Sequence, residues 1–227
     1  MRIPLTRYGR PQVVIFPAMI IVIMAVCLLA PLPVWAFWWL EAIFAVILIW
    51  VFSFFRDPKR AVPQDKNLLL SPADGTIADI ETIAENDFIG APAVRIGIFL
   101  SVFNVHINRA PCGVKVEKIV YKKGKFKDAR DAQAGQVNES NDLYLVRTDG
   151  PEDKLIVRQI SGAIARRIVC EAKEGQNFTG GQKFGMIKFG SRTELYFPAG
   201  DSVKCMVRVG DKVKAGLTPL IKYETDT

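Results

Sequence analysis

Between Val13 and Phe55 the chain carries a single charged side chain, Glu41, and that run sets the architecture. It is too long for one membrane-spanning helix, which takes about 20 apolar residues, and long enough for two. Residues 13–30 read as one helix, Pro31-Leu32-Pro33 as a tight turn and residues 34–55 as the second helix. Trp35, Trp38 and Trp39 sit beside the turn, where an aromatic belt would lie, and Glu41 falls just inside it. A secretory signal peptide has an apolar core of only roughly 7–15 residues and a small-residue cleavage site. Arg2, Arg7 and Arg10 precede the run and Arg56, Lys59 and Arg60 follow it. Positive residues on both flanks predict that both ends, and the domain beyond, lie in the cytoplasm.

Two prolines among charges at residues 56–63 read as a linker, so residues 1–60 form a membrane hairpin with a basic linker and residues 61–227 a second domain. From Leu68 onward, short apolar runs alternate with Gly, Pro, Asn and Asp. The runs at 93–100, 114–121, 143–147, 155–160, 164–169, 195–197 and 203–209 are rich in β-branched residues and too short for helices. They predict a mostly β domain with lipoyl-like, β-sandwich or barrel features and few short helices. The polar segment 128–142 reads as a short helix or a loop. The pattern V-x-x-G-D-x-V-x-x-G at 207–216 resembles the turn-and-strand repeat of lipoyl and biotinyl domains, with Gly210-Asp211 and Ala215-Gly216 as turns. A non-enzymatic membrane-anchored adaptor also pairs an N-terminal anchor with such a repeat, but adaptors of that kind carry long helical hairpins and no long heptad run is present.

The formal charge of +7 points to an anionic partner. Lys115, Lys118, Lys122, Lys123, Lys125 and Lys127 crowd one region, either as a solvated face or as a contact for anionic lipid headgroups. Nucleic-acid motifs are lacking, and the hairpin makes a membrane the nearer partner. Cys27, Cys112, Cys170 and Cys205 are widely spaced, without the CxxC pairs of a zinc site. His106 is the one histidine, which excludes a multi-histidine metal site within the chain.

Three stretches carry chemistry. SPADG (71–75) contains Asp74, FNVHINRAP (103–111) contains His106, and KFGSRTEL (188–195) contains Gly190-Ser191. Each has an ordinary alternative: Asp-Gly and Gly-Ser are turn dipeptides, and a lone histidine after an apolar run is often structural. Together they supply an acid, an imidazole and a hydroxyl, the set that activates a serine: His106 takes the hydroxyl proton and Asp74 fixes its tautomer. Glycine before the serine leaves the Gly190 carbonyl open to attack by Ser191. Arg109 offers bidentate donors to a phosphate, or a structural ion pair.

With FFRDPKR (54–60), these motifs resemble the phosphatidylserine decarboxylase family in its short bacterial and archaeal form, over nearly the whole chain. The resemblance implies a self-processing lyase, a zymogen of phospholipid biosynthesis. Ser191 would attack the Gly190 carbonyl, and the cut would leave a β chain of residues 1–190 and an α chain of 191–227 headed by a pyruvoyl group. That group, formed from Ser191, would make a Schiff base with the substrate and replace pyridoxal phosphate, with no metal. The implied reaction turns phosphatidylserine into phosphatidylethanolamine and CO2, with Asp74, His106 and Ser191 as the matching catalytic residues and His106 protonating the carbanion. A dialkyl ether lipid with the same headgroup would react alike. The implied location is the bacterial inner membrane, catalytic domain on the cytoplasmic side, with the two chains together and a homo-oligomer left open. One departure stands out: longer members carry a second histidine where this chain has Phe103.

Overall fold

The computed structural model describes residues 4–127, 134–162, 167–188 and 191–224. They divide into two compact units, Met1–Lys59 and Arg60–Thr227.

In the first unit a short turn at Arg7–Gly9 leads into α1 (Arg10–Leu29), and α2 (Val34–Phe54) follows the proline turn. Both helices are long and apolar enough to cross a membrane. Ile15, Ile21, Leu29, Val46 and Ile49 project outward with most of their surface uncovered. A helix apolar all round, without a protein layer over it, is suited to lipid rather than water. The two ends of the hairpin are clipped together, since Thr6 N–H donates to Phe55 O at 2.9 Å and Asp57 N–H to Pro4 O at 2.6 Å. Trp35, Trp38 and Trp39 are exposed at the turn.

The second unit is β-rich, as its alternating pattern predicts. In chain order its elements are β1 (Leu68–Leu70), β2 (Gly75–Glu85), β3 (Ala91–Leu100), β4 (Ile107–Arg109), β5 (Val114–Lys122), α3 (Ala134–Val137), β6 (Ser140–Arg147), β7 (Lys154–Ser161), β8 (Arg167–Cys170), β9 (Asn177–Phe178), β10 (Lys183–Lys188), β11 (Ser191–Pro198), β12 (Val203–Cys205), β13 (Lys212–Val213) and β14 (Pro219–Tyr223). Eight strands form one open sheet in the order β13-β2-β3-β11-β7-β6-β5-β9; β4-β10-β8 and β1-β14-β12 form two smaller ones. Residues 128–133, the start of the polar segment, and 163–166, the start of the run at 164–169, lie outside the described residues.

Strand β11 sits near the middle of the large sheet and shows how register is set. Leu195 and Phe197 join Ile96, Ile98, Leu100, Leu155 and Val157 in the apolar core. Because side chains alternate, Arg192, Glu194 and Tyr196 fall on the other face. There Arg192 pairs with Asp79 of β2 at 2.7 Å and with Glu194 at 2.8 Å, while Arg158 of β7 makes two 2.7 Å bonds to Asp142 of β6. A slip of one residue would drive these charges into the core, so the ion pairs and the apolar face enforce the same register. Gly97 of β3 makes this possible: a Cβ there would occupy the space of the Arg192 guanidinium.

Candidate functional site

Ser191 opens β11, and its register places it between Leu100 of β3 and Ser161 of β7. The preceding strand, β10, belongs to the smaller sheet with β4 and β8. Lys188 therefore ends a strand of one sheet and Ser191 begins a strand of the other. Phe189 and Gly190 lie outside the described residues. Strand β3 ends at Leu100, opposite Ser191, and residues 101–106 carry the chain to β4, which pairs with β10. His106 stands at the end of this crossing, and its carbonyl accepts from Ile187 N–H of β10 at 3.2 Å. His106 thus adjoins β10, and Ser191 pairs with the strand end from which the loop to His106 departs.

The loop bearing His106 is shaped locally. Ser101 N–H donates to Asn104 Oδ1 and Asn104 N–H to Ser101 O, both at 2.9 Å. The Asn104 carbonyl lies 3.0 Å from His106 Nδ1. A carbonyl only accepts, so Nδ1 carries a proton, and the neutral form of the ring has its lone pair on Nε2. His106 and Ser191 are both fully buried. Ser191 Oγ has no hydrogen-bond partner among the described residues, and a hydroxyl so placed costs stability unless it serves another purpose.

Asp74 is held by Arg60 and by the backbone at Ala215. Its Oδ1 and Oδ2 accept from Arg60 Nη1 and Nη2 at 2.6 and 2.7 Å, and Oδ1 also accepts from Ala215 N–H at 2.8 Å. Arg60 also donates to the Ala215 carbonyl. The residue that orients His106 Nδ1 is Asn104, while Asp74 ties the SPADG stretch to Arg60 and to the end of the 207–216 repeat. That stretch reaches the site through Pro72, whose carbonyl accepts from Arg109 N–H of β4 at 2.9 Å. The repeat does form turns, with Gly210 and Gly216 at φ 94° and 66°, and β13 within it pairs with β2 just after Asp74.

Arg109 lies opposite Lys183, at the start of β10, whereas the serine follows the end of that strand. Its Nη1 donates to Gly181 O at 2.9 Å. At the serine end of β10 stands Lys188, 5% exposed and directly opposite Arg167 of β8. Burial, and then the nearby Arg167, lower its pKa.

Sequence reasoning missed a chain of buried amides behind the serine. Asn141 donates to Gln159 Oε1 at 3.1 Å, Gln159 to Asn108 Oδ1 at 2.9 Å, and Asn108 to Thr193 Oγ1 at 3.0 Å. It joins β6, β7, β4 and β11, and so locks the two sheets together where the chain crosses between them. Little signal was available: Asn108 stands between Ile107 and Arg109 and Thr193 between Arg192 and Glu194, so neither interrupts an apolar run. Arg192, next to the serine, is fully buried as well. Burial alone would lower its pKa, but Asp79 and Glu194 outweigh that and hold it up.

A family model described as phosphatidylserine decarboxylase matches residues 47–220. Three relatives carry the name phosphatidylserine decarboxylase proenzyme. That from Desulfotalea psychrophila is 45% identical over 80% of this chain and 83% of its own. That from Carboxydothermus hydrogenoformans is 42% identical over 79% and 83%. That from Rhodopirellula baltica is 39% identical over 98% and 89%.

Proposed function

The chain belongs to the phosphatidylserine decarboxylase family, and from that premise we propose that it cuts itself between Gly190 and Ser191 and then decarboxylates phosphatidylserine to phosphatidylethanolamine. The adaptor alternative leaves the three motifs unused and falls with family membership.

The observation that carries self-cutting is the buried Ser191 hydroxyl, which has no hydrogen-bond partner among the described residues. Ser191 Oγ adds to the Gly190 carbonyl carbon, the peptide C–N bond breaks, and an ester replaces the amide. Removal of the Ser191 α-proton expels the Gly190 carboxylate. Water then displaces the nitrogen as ammonia, leaving a ketone at the head of the 191–227 chain. That pyruvoyl group supplies the electron sink for the pair released as CO2 departs.

His106 takes the Ser191 proton and, in decarboxylation, returns one to the substrate carbon. Asn104 holds the ring so that Nε2 serves both steps, which suits a chain with one imidazole. Asp74 acts as a positioning residue through Arg60 and Ala215. With Arg109 committed to Gly181 O, we assign the lipid phosphate to the cations at the serine end of β10, Lys188 first among them. The apolar hairpin keeps the enzyme with its substrate in the membrane, and the basic flanks set the second unit on the cytoplasmic side.

Intact mass and denaturing electrophoresis of the purified chain test the cut. Two fragments are expected, the smaller beginning at position 191 and blocked to Edman degradation, and Ser191→Ala should remain one chain. An uncut wild-type chain that still releases CO2 from phosphatidylserine would overturn the mechanism.

A further inference from the structure

The large sheet is electrically polar along its strands. At the end where Ser191 lies, β5 runs out into Tyr121, Lys122, Lys123, Lys125, Phe126 and Lys127, all exposed. This segment is fastened to the site edge through two hydrogen-bonded steps: Asn138 Nδ2 donates to Lys127 O at 2.9 Å and to Ser161 O at 2.8 Å, and Ser161 is the strand partner of Ser191. Lys125 N–H also donates to Val137 O at 2.7 Å, so the basic loop is held against the strand ends. On the other side of Ser191, the crossing that bears His106 presents Phe103, 71% exposed. The opposite end of the same sheet, built by the β2–β3, β6–β7 and β11–β12 turns, carries Asp87, Glu152, Asp153 and Asp201, with Lys154 as a cation among them.

We infer that the edge formed by residues 101–104 and 122–127 docks onto the anionic bilayer, with Phe103 and Phe126 in the headgroup layer and the four lysines on its negative charge, so that Ser191 faces the lipid surface. Exposed aromatic rings amid lysines are what an interfacial layer accommodates: the rings bury apolar area while the ammonium groups stay in the charged zone. The acidic far end is repelled by the same surface, which fixes which way the sheet points. The inference rests on the phosphatidylserine reading for its purpose. A substrate whose acyl chains stay in the bilayer reaches a buried serine most directly through an edge that touches the headgroups.

Hydrogen–deuterium exchange on the full chain in lipid nanodiscs tests it without relying on turnover. In discs containing phosphatidylglycerol, amides in 101–104 and 122–127 should exchange roughly fivefold more slowly than in phosphatidylcholine discs, while the 86–90 turn at the acidic end stays unchanged. Raising salt to 1 M, where the Debye length falls to about 3 Å, should erase the difference. A variant with Lys122, Lys123, Lys125 and Lys127 changed to Gln should lose it as well. Equal exchange in both discs, protection at 86–90, or full protection in the lysine variant would overturn the assignment. Failure of CO2 release with protection intact would sink the decarboxylase reading and leave the docking edge standing.

Discussion

Arg60 grips Asp74 through two parallel hydrogen bonds of 2.6 and 2.7 Å, with 4% and 10% of the two side chains exposed. The geometry is the bidentate fork that makes arginine–carboxylate pairs strong and directional. Removing one partner of such a pair strands a buried charge, at a cost of about 3–5 kcal/mol. Arg60→Ala should therefore lower the melting temperature and slow self-cutting, because the SPADG stretch loses its anchor. Arg60→Lys keeps the charge without the fork and should fall between the two. Thermal melts and the uncut fraction after expression check both.

His106→Asn isolates the proton-transfer role. The asparagine amide nitrogen takes the place of Nδ1 and still donates to the Asn104 carbonyl, so the loop keeps its shape while Nε2 is lost. General acid–base catalysis contributes typically 10²–10⁴-fold, and self-cutting should slow by about that factor with little change in melting temperature. The time course of the uncut chain on denaturing gels measures it. Cutting at the wild-type rate would remove His106 from the mechanism.

Gly97→Ala would push a methyl group into the Arg192 guanidinium and toward Asp79 Oδ1 at 2.8 Å. Overpacking of this kind costs about 1–3 kcal/mol. Because Arg192 adjoins Ser191, the displaced strand should also cut itself more slowly. In the double variant Gly97→Ala, Arg192→Met the clash with the guanidinium is gone, so the two effects should be less than additive. Additive losses would show that Gly97 acts independently of Arg192.

The two helices and the strand pattern were legible because burial against lipid or core leaves a composition and a period. Residues 13–30 and 34–55 correspond to α1 (Arg10–Leu29) and α2 (Val34–Phe54), and the run at 93–100 to β3 (Ala91–Leu100). Strand β11 was read only at 195–197 because Ser191, Arg192, Thr193 and Glu194 look like solvent-facing residues. They are fully buried, since both faces of the sheet are covered there. The Asp74 partners were hidden for another reason. Arg60 and Ala215 lie 14 and 141 residues away, and a pattern read along the chain does not report pairing at such separations. Arg60 looked like linker charge and the 207–216 repeat like a carrier domain, yet both hold the same carboxylate. The six lysines formed one cluster in sequence; in the fold Lys115 pairs with Glu117 at 3.1 Å, and the basic edge begins at Lys122.

Lys188 sets stability against substrate binding. It faces Arg167 across the β10–β8 pair, and like charges directly opposite each other in a sheet are destabilising. Burial first, and Arg167 second, lower its pKa from 10.5. The sign follows: between the folded pKa and 10.5 the unfolded chain holds more protons, so stability rises with pH across that window. Below it the penalty is present in full. Lys188→Met removes the charge while keeping a long, flexible side chain. The variant should melt higher than wild type at pH 7, and its advantage should shrink as pH climbs toward 10.5. If Lys188 receives the lipid phosphate, the same change should raise KM for phosphatidylserine about tenfold and alter kcat little. Melting curves across pH with the KM and kcat split separate the two roles: a stability gain with unchanged KM would leave Lys188 a cost of the fold and move the phosphate elsewhere.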